Sequence, residues 1–281
     1  MIFCIFYPVA GVDCSYKRKY FKFCCRFMKI WIKKLMLYLT FSLTLSAYGQ
    51  TRKAFNFFTE IKRYDLSGLW RSDSIYIEGG PDRTTFPEPL GYIGENYQRF
   101  YIHYLTVERS KYNPYIYIIS GKTKVKDNIC RFNGAITVSK AMLYGASDDS
   151  RFEQGLIVSD VLFFEDSAQA SSGIIKGRLT TKFYLDSKGK IHYDALMYVS
   201  DRFFNNQCEA IWTSYKTGKS KKCNWGDFRI PESEELDQGA GDVSIVNKYV
   251  KSGWESYVAA YSGDEAAAKK ARRIEDTAWW K

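Results

Sequence analysis

The chain has few histidines and few prolines for its length. Its 281 residues include two histidines, His103 and His192, which lie on separate predicted strands. A zinc site built from several histidines is therefore excluded, because such sites need three or four clustered ligands. No proline occurs between Pro114 and Pro231. That absence suits a series of strands, since proline cannot donate a hydrogen bond to a β-ladder.

Recognised catalytic motifs are also missing. The sequence has no nucleophile elbow, no phosphate-binding loop and no dinucleotide-binding glycine motif. It therefore predicts a protein that is not an enzyme and that uses no cofactor and no metal. Paired-acid hydrolysis stays open as an alternative. Its candidate carboxylates are Asp148, Asp149, Glu153, Asp160, Glu165 and Asp166, mostly at predicted turns, where acids commonly stabilise the turn itself.

The first fifty residues have the organisation of an export signal. A basic start at Met28 precedes a largely apolar run over 35–45, and the small residues Ala47 and Gly49 follow. The run is shorter than the ~20 residues of a membrane-spanning helix. We predict a signal peptide over 28–49 with cleavage before Gln50; an uncleaved anchor is the alternative. Residues 1–27 are interpreted as a mis-assigned translation start or as an extension of the signal.

The positive charge of the chain comes largely from this signal region. The full sequence has a net charge of +10, but residues 1–50 hold eight of the 41 basic residues and one of the 31 acidic residues. The remainder has a net charge of +3, which does not predict nucleic-acid binding. The expected location is periplasmic, outer-envelope associated or secreted, with membrane contact only through the signal sequence.

Three cysteines remain beyond the signal region: Cys130, Cys208 and Cys223. Export to an oxidising compartment favours a disulfide. Cys208 and Cys223 flank a predicted hairpin, so a bridge between them is one hypothesis and two free thiols the other. Cys130 is predicted to be a small buried apolar residue.

Residues 50–231 are predicted to form one antiparallel β-domain. At 174–185 polar and apolar residues alternate, which is the pattern of a strand with one packed face and one wet face. Short turns separate the segments, so an up-and-down meander of eight to nine strands closing into a barrel is predicted, with a two-sheet sandwich as the alternative. The predicted strands cover 67–77, 97–109, 113–125, 128–140, 151–164, 172–185, 190–199, 206–216 and 220–227.

Residues 232–281 are predicted to be a linker followed by C-terminal helices. The acidic, glycine-containing segment 232–242 is interpreted as a solvated linker, with a calcium loop as the alternative. Val250, Trp254, Tyr257 and Tyr261 follow a helical period. Ser262 and Glu265 resemble a capping box that opens a helix to about Trp280. That helix is expected to be solvated; membrane-surface binding is the alternative.

The residues Gly68-Leu69-Trp70 resemble the Gly-x-Trp start of lipocalin-like (calycin) barrels. The resemblance implies that Gly68 and Trp70 open the first strand, that Trp70 plugs one barrel end, and that 78–96 is a lid over a binding cup. The stretch 211–231 is also similar to uncharacterised exported bacterial proteins, a resemblance that implies no activity.

Two functions are compatible with these patterns. The first is a non-catalytic binding module for a small apolar or glycan ligand, favoured by the many aromatic residues, which include 22 tyrosines. The alternative is a structural or interaction protein of the cell envelope whose barrel is filled. An open or a filled interior discriminates between them.

Overall fold

The computed structural model describes residues 53–281. The predicted signal region, with the cleavage site before Gln50, lies outside the described residues. The described part has twelve strands and four short α-helices, with one 3-10 helix at Asn247–Ser252. The strands are β1 Ala54–Asn56, β2 Ser74–Tyr76, β3 Arg83–Thr85, β4 Leu90–Ile93, β5 Gln98–Arg109, β6 Ile116–Val125, β7 Asn128–Tyr144, β8 Glu153–Glu165, β9 Gly173–Leu185, β10 Ile191–Tyr193, β11 Asn205–Ser214 and β12 Ser220–Asp227. The helices are α1 Phe58–Ile61, α2 Ser67–Trp70, α3 Glu255–Ala260 and α4 Glu265–Glu275.

Eight of the strands form a closed antiparallel barrel. Neighbours pair in the order β4, β5, β6, β7, β8, β9, β11 and β12, and β12 returns to pair with β4. β1 adds to β7 and β10 adds to β9, while β2 and β3 form a separate hairpin. The predicted all-β up-and-down barrel is confirmed. The sandwich alternative is wrong, because the ladder from β12 to β4 joins the two ends of the meander.

The region before the barrel departs from the prediction. Gly68 and Trp70 do not open a strand; they lie in α2, which begins where the Asp65 carboxylate accepts a hydrogen bond from the Ser67 amide at 3.0 Å. A three-residue apolar pattern cannot distinguish a strand from one helical turn. The segment 78–96 is not a single loop either, since it contains β3 and the barrel strand β4. Its prolines flank these short strands rather than preventing them.

Three inward phenylalanines each lie across a glycine on the neighbouring strand. The register pairs Phe132 with Gly121, Phe163 with Gly134 and Phe183 with Gly155, and a Cβ atom on any of these glycines would meet the facing ring. Glycine is therefore needed where the rings cross the strand. These pairs fill the barrel with aromatic rings.

The C-terminal segment packs on the outside of β4 and β5. Trp254 is fully buried there, and its indole nitrogen donates to the Tyr97 carbonyl at 2.8 Å. The predicted helical segment is confirmed, but its details differ: Tyr261 is exposed, Asp264 rather than Ser262 caps α4, and α4 ends at Glu275 rather than near Trp280. Within residues 53–281, no helix is long and apolar enough to cross a bilayer.

The described cysteines are all free and buried, so the structure contains no Cys208–Cys223 bridge. Cys208 lies opposite Trp225 in the β11–β12 ladder, and a register shift lies between Asn205 and Cys208. The hairpin turn is centred between Lys216 and Thr217, as the pairing of Thr213 with Ser220 shows, so Cys223 lies diagonally from Cys208 rather than facing it. Cys130 is buried, as predicted.

Candidate functional site

A chain of buried hydrogen bonds closes the barrel end next to α2. The Trp70 indole donates to the Thr181 hydroxyl at 2.9 Å, and that hydroxyl donates to the Asn206 side-chain oxygen at 2.9 Å. The Asn206 amide then donates to Asp227 Oδ2 at 2.7 Å, and the Tyr193 hydroxyl donates to the same oxygen at 3.0 Å. All five side chains are buried. Trp70 is therefore buried at this end of the barrel, and it enters the network from a helix rather than from the strand that the resemblance implied.

Burial makes Asp227 the most unusual acid at this end. Desolvation raises the pKa of Asp227 to about 8, and the hydrogen bonds from Asn206 and Tyr193 oppose that shift without cancelling it. Burial also raises the pKa of Tyr193 well above its ordinary value. A protonated carboxyl that is enclosed by hydrogen-bond donors of the protein is suited to stabilising the closed end of the barrel. A catalytic acid must also reach a substrate, and this carboxyl is buried.

Glu165 closes the opposite end of the barrel. Its carboxylate accepts hydrogen bonds from the Thr123 hydroxyl, from the Gly173 amide at 2.8 Å and from the Trp212 indole at 2.8 Å. The Tyr215 hydroxyl donates to its main-chain carbonyl at 3.1 Å. The carboxylate therefore joins β6, β8, β9 and β11 where these strands end.

Between the two ends, aromatic rings occupy the barrel interior. Phe132 and Phe163 stack with their centroids 4.7 Å apart, and Tyr104 and Trp225 pack against Phe163 at 5.9 and 6.4 Å. All four side chains belong to one buried core. The interior is filled with side chains, in contrast to the open cup that the resemblance to lipocalin-like barrels implied.

Comparisons with protein-family models, with curated proteins and with solved structures gave no match.

The two histidines have partners that do not assemble a reactive site. His192 Nε2 lies 2.9 Å from the Asp186 carboxylate, and its ring stacks on Tyr184 at 4.9 Å. Asp194, two residues further along the chain, is buried and accepts a hydrogen bond from Gln154 instead. His103 lies on the outer surface, 3.0 Å from Glu88 and stacked on Trp280.

The candidate carboxylates are spread along the barrel rather than gathered. Glu153 and Glu165 are at opposite ends of β8, about 40 Å apart at the rise of an extended strand. Asp149 pairs with Arg151, whose hydrogen bonds lower the pKa of that carboxyl. Asp160 is exposed opposite Arg178, and Asp166 accepts from the amide of Ala168 in a turn.

The acidic segment 232–242 partly surrounds the guanidinium of Arg229. Arg229 donates to the Asp237 carboxylate and to the carbonyls of Gly239 and Gly241. One carboxylate and two carbonyl oxygens of the segment therefore converge on a guanidinium, while Glu232 pairs with Lys222. Across residues 53–281, no group of three or more acidic, histidine or cysteine side chains is arranged for a metal.

The outer surface of the barrel carries exposed apolar side chains along one line of register positions that runs from β6 to β11. Ile118 of β6 pairs with Ala135, Ala135 pairs with Leu162, Leu162 pairs with Lys176, and Lys176 pairs with Ile211 of β11. Phe164 is the next outward residue on β8. We call Ile118, Leu162, Phe164 and Ile211 the outer stripe; their exposed fractions are 52, 40, 46 and 45%.

An open groove continues the outer stripe toward the Glu165 end. It has a volume of about 670 Å³, and Phe164 forms its apolar wall. Its polar lining consists of Arg131, Asn133, Glu165, Asp166 and Ser167. The groove therefore gives the stripe a polar margin, which is the arrangement of a protein interface with an apolar centre.

Sequence reasoning did not identify this surface. The signal was present in runs such as Ile116–Ile119 and Leu162–Phe164, which are apolar at outward as well as inward positions. In a barrel filled from within, the second apolar face of a strand must lie on the outside.

Proposed function

We propose that this chain is an exported cell-envelope protein that acts as a non-catalytic interaction module and binds a protein partner through the outer stripe. The packed interior supports this function over a cup for a small apolar or glycan ligand. Rings occupy the volume that such a ligand would need, and polar networks close both ends.

The outer stripe is the observation that carries the proposal. Single exposed apolar residues are ordinary, whereas a contiguous set on one face is typical of an interaction site. Cross-strand neighbours lie close enough for their side chains to form one surface. Lys176 stands between Leu162 and Ile211 in the register, and the alkyl stem of a lysine can cover apolar surface. The expected partner therefore presents a complementary apolar face.

A photo-crosslinking amino acid placed at Leu162 tests the proposal in the native host. Tyr112 is the matched control position, because it is 98% exposed and lies in the β5–β6 turn away from the stripe. We expect a discrete protein adduct from position 162 and none from position 112. Replacing Phe164 and Ile211 by serine should remove the adduct and leave the melting temperature within a few degrees.

A different result would contradict the proposal and support the ligand-binding function. A stoichiometric small molecule extracted from the native protein, with no adduct at the stripe, would replace this proposal with the ligand-binding function.

A further inference from the structure

The last residues of the chain lie on the outer surface of β5 and β6. The Trp280 ring stacks on the His103 ring, with centroids 3.8 Å apart and planes 9° apart. Trp279 packs against Tyr101 at 5.8 Å, and Lys122 donates to the main-chain carbonyl of Trp280. These contacts involve two aromatic side chains and one peptide group, without any strand pairing.

The surface beneath the tail is formed by two cross-strand pairs. Tyr101 faces Lys124, and His103 faces Lys122. The Lys124 ammonium lies 5.4 Å from the centre of the Tyr101 ring. We call these four residues the tail-binding surface. Its rings can stack on aromatic side chains, and Lys122 donates to a main-chain carbonyl of the bound segment.

A separate anchor holds α4 in place before the tail begins. The Glu275 carboxylate accepts from Arg99 at 3.0 Å and from the Ser256 hydroxyl at 2.5 Å. Arg99 is almost fully buried, and its guanidinium lies against the rings of Trp254 and Tyr101 at 4.3 and 4.7 Å. The hydrogen bonds of this anchor involve no residue of 276–281, although Tyr101 contacts both Arg99 and Trp279. Release of the tail would therefore leave these hydrogen bonds of α4 in place.

We infer that the tail-binding surface is a peptide-binding site for a segment with two adjacent aromatic residues, and that the chain's own Trp279-Trp280 segment occupies it as a displaceable strap. The tail itself identifies the chemistry of the ligand. Stacking on His103 and a hydrogen bond to a main-chain carbonyl are contacts that a similar peptide from a partner can reproduce. This site is separate from the outer stripe, so either proposal can fail without the other.

Competition sets the expected affinities. A tethered segment acts at an effective concentration in the millimolar range, so a free peptide must overcome the bound strap. The full chain should therefore bind a free tail peptide at least tenfold more weakly than a chain whose strap no longer stacks.

The experiment is calorimetric titration with a synthetic peptide of residues 273–281. Two variants leave the tail-binding surface empty, and we call them vacated forms. One is the full chain carrying Trp279→Ala and Trp280→Ala, and the other is a chain ending at Asp276. We expect one peptide to bind per vacated chain. His103→Ala in the vacated chain should weaken binding at least tenfold, whereas Tyr112→Ala, at an exposed remote position, should leave it unchanged.

Three results would overturn the inference. They are failure of both vacated forms to bind at millimolar peptide, equal binding by the full and vacated chains, and equal binding of a peptide in which both tryptophans are alanine.

Discussion

Asp227 has its carboxyl inside the barrel end, where Tyr193 and Asn206 both donate to one of its oxygens. Its pKa of about 8 lies above that of an aspartate in the unfolded chain, which is about 3.9. At pH values between these two pKa values, the folded protein therefore keeps a proton on Asp227 that the unfolded chain has released. Its stabilising contribution is complete below pH 4 and is lost as the pH rises to about 8.

Asp227→Asn removes this ionisation while leaving an oxygen that can accept from both donors. Relative to the variant, the unchanged protein should lose up to about 1.4 kcal/mol of unfolding free energy per pH unit between pH 5 and 8. Urea denaturation of both proteins at pH 5, 6, 7 and 8 measures the difference. A difference that does not vary with pH would mean that Asp227 ionises normally in the fold.

Sequence patterns reveal some residues of this end and not others. Trp70 was expected to be buried because Gly68-Leu69-Trp70 resembles a known barrel start. Asp227 carried no such signal, since the sequence placed it only at the end of the predicted strand 220–227. Its burial depends on Asn206, Tyr193 and Thr181, which come from three other strands and meet only when the barrel closes.

At the scale of elements, the glycine–phenylalanine pairs connect successive barrel strands. Gly134 of β7 is the most restrictive of the three, because an added Cβ would lie 2.1 Å from the Leu162 carbonyl oxygen and 2.7 Å from the Phe163 Cα. Backbone atoms cannot move aside as the end of a flexible side chain can. Gly68 of α2 is the opposite case, since an added Cβ there meets nothing within 4 Å.

Gly134→Ala should therefore destabilise the fold by about 1–3 kcal/mol through overpacking. Gly68→Ala is the matched control, and it should be neutral or stabilise by about 0.5–1 kcal/mol, because alanine is the better residue inside a helix. Denaturant midpoints of the two variants make the comparison. Equal effects at both positions would show that the Phe163 ring does not require the glycine.

Long strands were predictable and short ones were not. β9 spans Gly173–Leu185 and matches the predicted 172–185, because thirteen residues of alternation establish a period of two. β2, β3 and β4 have only three or four residues each, too few to show any period. Their pairing partners, not their own sequences, make them strands.

At the scale of the whole molecule, the C-terminal segment and the barrel share a core. Tyr92 of β4 lies in one buried cluster with Leu236, Trp254 and Tyr257. The Tyr92 hydroxyl donates to the Glu232 carbonyl at 2.8 Å. Residues 53–281 form one compact unit, so we expect the segment and the barrel to unfold together.

Trp254→Ala tests this coupling, because Trp254 is fully buried between the segment and β5 and contacts Arg99. The loss of a large buried ring should lower the unfolding free energy by about 3–5 kcal/mol. In a cooperative unit, the far-ultraviolet signal of the sheet and the near-ultraviolet signal of the aromatic core must shift to the same lower denaturant midpoint. Tyr261→Ala is the control, since Tyr261 belongs to the same segment but is 70% exposed, and its removal should change stability by less than about 0.5 kcal/mol. If the far-ultraviolet midpoint of Trp254→Ala instead equals that of the unchanged protein, the barrel is stable without the packed segment. The C-terminal segment would then be an independent appendage.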